Sequence, residues 1–169
     1  MGKFVVVHEI QCDLETFWKT FLEKDFNTKL YSEVLGFPDW RILEQTEDDQ
    51  QIVRKVSGSP KMDVPGPVAK LIGPGFRYTE EGKLDKAKWI FRWKLQPSTL
   101  ADKLFTSGTV RAERIGDTKT RRIAEMTVEA KIFGLGGLIE STMEKQLRQG
   151  WDRSGAYMNK YLADRAQQK

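Results

Sequence analysis

The strongest constraint on this chain lies near its C-terminus. Over residues 135–163, Ile139, Met143, Leu147 and Trp151 recur at i, i+4 steps, and Tyr157, Met158, Tyr161 and Leu162 extend the stripe. At ~100° per residue these side chains occupy somewhat less than half of a helix circumference. One face of a long helix must therefore be buried along its whole length. Only a broad apolar surface, such as one face of a sheet, can cover it.

The preceding residues supply that surface. Trp89, Phe91, Trp93 and Leu95 are set against Lys88, Arg92 and Lys94, as in a sheet with one wet face and one buried face. Strands are predicted over residues 3–10, 40–47, 51–57, 76–84, 88–95, 104–115 and 120–132. Turns fall at Asp48-Asp49, at Glu81-Gly82 or Asp85, and at Gly116-Asp117. Asp13 stands where an N-cap belongs, ahead of Leu14, Phe17, Trp18, Phe21, Leu22 and Phe26 at helical spacing. A second helix is expected over 28–35, closed by Gly36 and Pro38. The order is strand, two helices, six strands, long helix.

Composition narrows the class. At 169 residues, with 39% hydrophobic and 31% charged residues, the chain reads as a single globular domain spanning 1–169. Its 28 basic residues against 24 acids leave a net charge of +4 with both signs interspersed. That balance mildly favours anionic partners such as a lipid headgroup layer and falls short of the basic stripe of a nucleic-acid binder. The lone Cys12 points to a reducing compartment, and no apolar run approaches the ~20 residues of a membrane span. The expected location is the cytoplasm.

The element order resembles the START-like (SRPBCC) superfamily. The segments Lys55-Val56-Ser57-Gly58-Ser59-Pro60 and Phe76-Arg77-Tyr78-Thr79-Glu80 are similar to an uncharacterised bacterial branch of it. The resemblance implies an α+β helix-grip fold. In it a curved antiparallel sheet of about seven strands wraps around the long C-terminal helix, with two short helices after the first strand. Sheet and helix usually enclose a cavity for a lipid, sterol, polyketide or other apolar molecule. The same scaffold also hosts cyclases and chaperone-binding modules, so fold alone leaves function open.

Small residues would face one another across such a core. Gly108, Ala112 and Met126 belong to the inward register of the last two strands, with Gly150 and Ser154 on the helix stripe opposite. They mean either close helix–sheet packing or space kept for a guest. The expected ligand contacts are His8, Glu44, Trp89, Phe91, Trp93, Gly108, Ala112, Met126, Met143, Leu147, Trp151 and Ser154. His8 shares strand parity with Phe4, Val6 and Ile10, so it either hydrogen-bonds to neighbours or anchors a polar ligand group. Glu44 is in register with Trp40 and Ile42, which would make it an inward acid unless the strand slips by one residue.

Residues 58–75 hold four of the six prolines around an apolar tract. Loops this long are usually functional or disordered. Val64, Val68, Leu71 and Ile72 are the candidates for a gate over the cavity, against a rigid loop pinned by prolines. Lys61 and Lys70 suit transient contact with an anionic membrane surface. Gly134-Leu135-Gly136-Gly137 reads as a turn and helix start, because no parallel strand follows to complete a phosphate-binding unit. One histidine and one cysteine cannot build a zinc-type site. Arg111, Arg114, Lys119, Arg121 and Arg122 read as a solvated charged face.

No catalytic residue, metal or cofactor is assigned. The expectation is binding or transfer of a lipid or other hydrophobic small molecule. The rivals are an aromatase/cyclase-type enzyme, for which His8 with Glu44 is the one pair available for proton transfer, and a co-chaperone-like interaction scaffold.

Overall fold

A computed structural model describes residues 1–168. Strand β1 (Gly2–Ile10) leads into α1 (Leu14–Phe21) and α2 (Lys24–Lys29), which runs on through a π-helical turn at Leu30–Val34. Then come β2 (Asp39–Glu47), β3 (Gln51–Ser59), a short helix α3 (Gly66–Ile72), and strands β4 (Tyr78–Asp85), β5 (Ile90–Pro97), β6 (Leu104–Gly116) and β7 (Lys119–Ala130). The long helix α4 spans Gly136–Gln167. The seven strands form one antiparallel sheet in the order β1-β7-β6-β5-β4-β3-β2, and α4 packs chiefly on β1 and β7.

Local chemistry explains these boundaries. Asp13 caps α1 by accepting a hydrogen bond from the Thr16 amide at 3.1 Å. The second helix starts at Lys24 rather than residue 28, because the Asn27 amide group bridges the Phe21 and Glu23 carbonyls at 2.9 and 2.7 Å. Of the two predicted turns near Gly82, the chain uses Asp85, whose carboxylate accepts from the amides of Ala87 and Lys88. Strand β7 ends at Ala130, where Glu140 of α4 takes the Ala130 amide and the Lys131 amide turns to the Lys103 carbonyl.

The main core joins Phe4, Val6 and Ile10 of β1 to Phe17, Phe21 and Phe26 of the helical pair, with Phe91, Val110, Met126 and Met158. A second cluster joins α3 to the start of α4 through Val68, Ile72, Leu104, Ala130 and Ile139. Among the described residues, no helix is long and apolar enough to cross a membrane.

Candidate functional site

Sheet and helix do not fill the space between them. A cavity of about 400 Å3 lies between the inner face of β3–β6 and the middle of α4. The π-helical turn closes one side through Leu30 and Tyr31, and the segment from Pro60 to Val64 with α3 covers another. This volume falls in the usual range for small-molecule sites, ~300–1,000 Å3.

Of the residues expected to line a cavity, Phe91, Trp93, Met143, Leu147, Trp151 and Ser154 do so, as do Val64, Val68 and Ile72 of the covering segment. Gly150 also lines it, and a Cβ added there would meet nothing within 4 Å. Gln146 ties the covering segment to α4 by donating to the Asp63 carbonyl at 2.8 Å.

The remaining expectations are corrected. Trp89 precedes β5 in a turn with φ 53°, is exposed, and lies beside Trp18 at 6.1 Å instead of facing the cavity. A bulge at Leu43 shifts the register of β2, so Glu44 points outward opposite Lys55. Gly108 lies beneath the Trp93 ring, leaving no room for a Cβ. Met126 is packed into the core floor, and Ala112 lies beside that core away from the cavity. Leu71 packs on the second cluster.

His8 faces α4 rather than the cavity. Its Nδ1 accepts from Arg122 Nη2 at 3.0 Å, and its Nε2 meets Asp152 Oδ1 at 2.7 Å. A guanidinium only donates, so Nδ1 holds the lone pair and Nε2–H donates to Asp152. Burial lowers the His8 pKa; the Asp152 hydrogen bond opposes that shift and the Arg122 charge reinforces it. Arg122 itself is fully buried, not part of a solvated face. It donates to Ser154 Oγ at 2.9 Å and the Trp151 carbonyl at 2.8 Å, and lies 4.8 Å over the Trp151 ring. Burial lowers its pKa to about 10, which still leaves it charged at neutral pH. Arg122 thus positions two residues of the cavity wall. The other basic residues of that hairpin are surface partners of Glu113, Asp117, Glu125 and Glu9.

Among the polar side chains that line the cavity are Arg54, Glu80, Tyr31 and Tyr78. None was expected from the sequence as a cavity contact, although Arg54 shares parity with Ile52 and Val56, and Glu80 with Tyr78 and Leu84. Arg54 Nη2 donates to Glu80 Oε1 at 3.3 Å, and both side chains are nearly inaccessible. Tyr31 stacks on Trp40 with ring centroids 4.5 Å apart. Burial, and then Glu80, pushes the Tyr31 hydroxyl well above its ordinary pKa. For Tyr78, burial leads, followed by Tyr31 and Glu80. Both phenols are therefore protonated at neutral pH.

A second depression, about 760 Å3 in volume, opens on the surface between α2 and the end of α4. It is larger, but it is a charged surface, part of which is paired internally, as in Arg165–Glu23 at 2.8 Å and Lys29–Asp25 at 3.3 Å. It offers an apolar guest no enclosed wall. Among the described residues, no group of three His, Cys, Asp or Glu side chains is arranged to hold a metal ion.

Residues 6–162 match the family model described as protein of unknown function (DUF2505). No curated protein sequence matches the chain. Solved structures of the same fold include the Zhui aromatase/cyclase from Streptomyces sp. R1128, 14% identical with a TM-score of 0.66, covering 98% of this chain and 95% of that one. A START superfamily protein from Mycobacterium smegmatis is 14% identical with a TM-score of 0.58, covering 94% and 98%. Dicamba monooxygenase bound to dicamba is 10% identical with a TM-score of 0.63, covering 97% of this chain and 49% of that one. At these identities the likeness shows the helix-grip, START-like fold.

Proposed function

The chain belongs to the DUF2505 family of proteins of unknown function, and we propose that it binds or carries a lipid or other hydrophobic small molecule between its sheet and α4. One observation carries this reading. The middle of α4 faces the sheet with Gly150 and Ser154, where larger side chains would fill the gap, and about 400 Å3 stays open behind a covering segment. Protein interiors otherwise pack to a density of ~0.75. The covering segment, with Val64, Val68 and Ile72, serves as the gate. Its exposed Lys61 and Lys70 permit transient docking to an anionic membrane, at about 1 kcal/mol each. The buried, unpaired Cys12 fits a reducing compartment such as the cytoplasm.

The His8–Glu44 pair that the sequence offers for a proton-transferring aromatase/cyclase is not assembled. His8 is held between Arg122 and Asp152, and Glu44 faces solvent.

The test is organic extraction of protein purified from its native source, followed by mass spectrometry, alongside the Gly150→Leu variant. Leucine there fills open space and removes a helix-interior glycine, which costs a helix about 1 kcal/mol. Wild-type protein should yield one enriched apolar species at near-stoichiometric amount. The variant should fold with equal or higher stability and yield none. No enriched species from wild type, or the same species at the same level from Gly150→Leu, would refute the site.

A further inference from the structure

The cavity carries its unbalanced charge at its opening. Of the residues that line it, those exposed to solvent are Lys61, Met62 and Asp63 of the covering segment and Gln149 and Arg153 of α4. Exposed lining residues mark where a cavity meets water, so the mouth lies between residues 61–63 and one turn of α4. The end of the π-helical turn borders it. Leu35 lines the cavity, and a Cβ added at Gly36 would meet the Lys61 stem at 3.8 Å. Arg153 reaches the same corner from the other side, since it also lines the surface depression with Glu33 and Val34.

Charge inside and charge at the mouth differ in kind. Inside, Arg54 and Glu80 neutralise each other, and the free N–H groups of Arg54 are sealed even from the cavity. The other charged lining residues are Lys61, Asp63 and Arg153. Among the described residues, none of these three forms an ion pair. Two cations against one anion leave the mouth with one positive charge in excess. The wall behind it is apolar, with Phe91, Trp93, Leu104, Ile139, Met143 and Leu147.

A guest suited to both surroundings is an amphiphile. Its apolar body gains from burial, whereas an ionised group inside would be an unpaired buried charge. The polar end therefore stays at the mouth. A single negative charge there takes charge-assisted hydrogen bonds from Lys61 and Arg153 and balances the excess. A cationic end would add to that excess, and a dianionic phosphate monoester would overshoot it. We propose that the ligand of this cavity is an apolar monocarboxylate, its carboxylate held at the mouth by Lys61 and Arg153 and its apolar body directed inward past Gly150. This rests on the cavity being a binding site.

Decanoate, decanamide and decylamine differ at one end only, and calorimetric titration into delipidated protein at neutral pH compares them. At low salt decanoate should bind about fivefold more tightly than the amide, the effect of two exposed ion pairs, and decylamine should bind most weakly. Raising the salt to roughly 1 M, where the screening length is about 3 Å, should remove most of the advantage. Lys61→Gln combined with Arg153→Gln should abolish the difference between decanoate and decanamide. Asp63→Asn, which removes the opposing acid, should widen it. All three positions are exposed, so urea unfolding midpoints should match wild type. Gly150→Leu should lose decanoate and decanamide together. Equal affinity of acid and amide in wild type, or an advantage that persists in the Lys61→Gln, Arg153→Gln variant, would overturn the proposal and leave the cavity standing. Decanoate binding that survives Gly150→Leu while the amide is lost would also overturn it, because the anion would then be held by the surface alone. Failure of all three compounds to bind wild type would refute the cavity reading itself.

Discussion

Two arginines sit inside this protein, and they are kept there by different means. Arg54 has a carboxylate, Glu80, at 3.3 Å. Arg122 is held by the Ser154 hydroxyl, the Trp151 carbonyl, the Trp151 ring and the lone pair of His8. That last contact makes His8 a pH-sensitive element of stability. The fold holds its pKa below the ordinary 6.5, chiefly by burial, so the native state favours the neutral ring. Its contribution is complete above that ordinary value and is lost as pH falls from there through the lower folded pKa. Urea unfolding midpoints at pH 8 and pH 5.5 should therefore drop further in wild type than in His8→Gln. Glutamine can accept from Arg122 and donate to Asp152 without titrating. Equal drops in the two proteins would show that His8 does not couple folding to pH. The inward parity of all three residues is legible in the strands, since Arg122 alternates with Ala124 and Met126 as His8 does with Val6 and Ile10. What each would face is not, because parity names a side of the sheet and not a partner across it.

At the scale of elements, alternation and capping located every strand and the start of α1, and they misplaced element ends, the break between α1 and α2, and the register of β2. The Leu43 bulge adds a residue that faces no partner in β3, and it reverses the facing of everything after it in β2. Nothing in Arg41-Ile42-Leu43-Glu44 announces it. Gly82 looked like a turn residue and instead sits inside β4, where the ring of Phe91 occupies the space a Cβ would need. Gly82→Ala should cost about 1–3 kcal/mol in urea unfolding through overpacking, and it should shift the Phe91 ring that lines the cavity. A change of less than half that amount, with unaltered aromatic NMR resonances, would mean that Phe91 moves aside freely.

For the whole molecule, the question is how a guest enters. The covering segment is tied to α4 by the Gln146–Asp63 hydrogen bond, and its far end is packed on the second cluster through Val68 and Ile72. Opening must break the first tie and can leave the second intact. Gln146→Leu should then speed both entry and release of a fluorescent apolar probe about fivefold in stopped-flow measurements, the effect of one hydrogen bond of ~1 kcal/mol. Unchanged rates would show that the guest enters elsewhere. Helix α3 within this segment carries Pro67 in its first turn, where proline is tolerated. Its docking on Leu104, Ala130 and Ile139 joins residues far apart in the chain.

The amino-acid sequence by itself determined the element order, the antiparallel sheet with one buried face, and the stripe along α4. These are periodicities of 2 and 3.6, and they are properties of neighbouring residues. Tertiary structure alone decided that about 400 Å3 stays open, that Arg54 and Glu80 meet inside it, and that His8 serves α4 instead. A cavity is the space left when two surfaces are held apart by contacts elsewhere, so no local pattern encodes it. A buried ion pair joins strands whose register is set by bulges and packing. Each depends on distances between elements, which the chain acquires only when it folds.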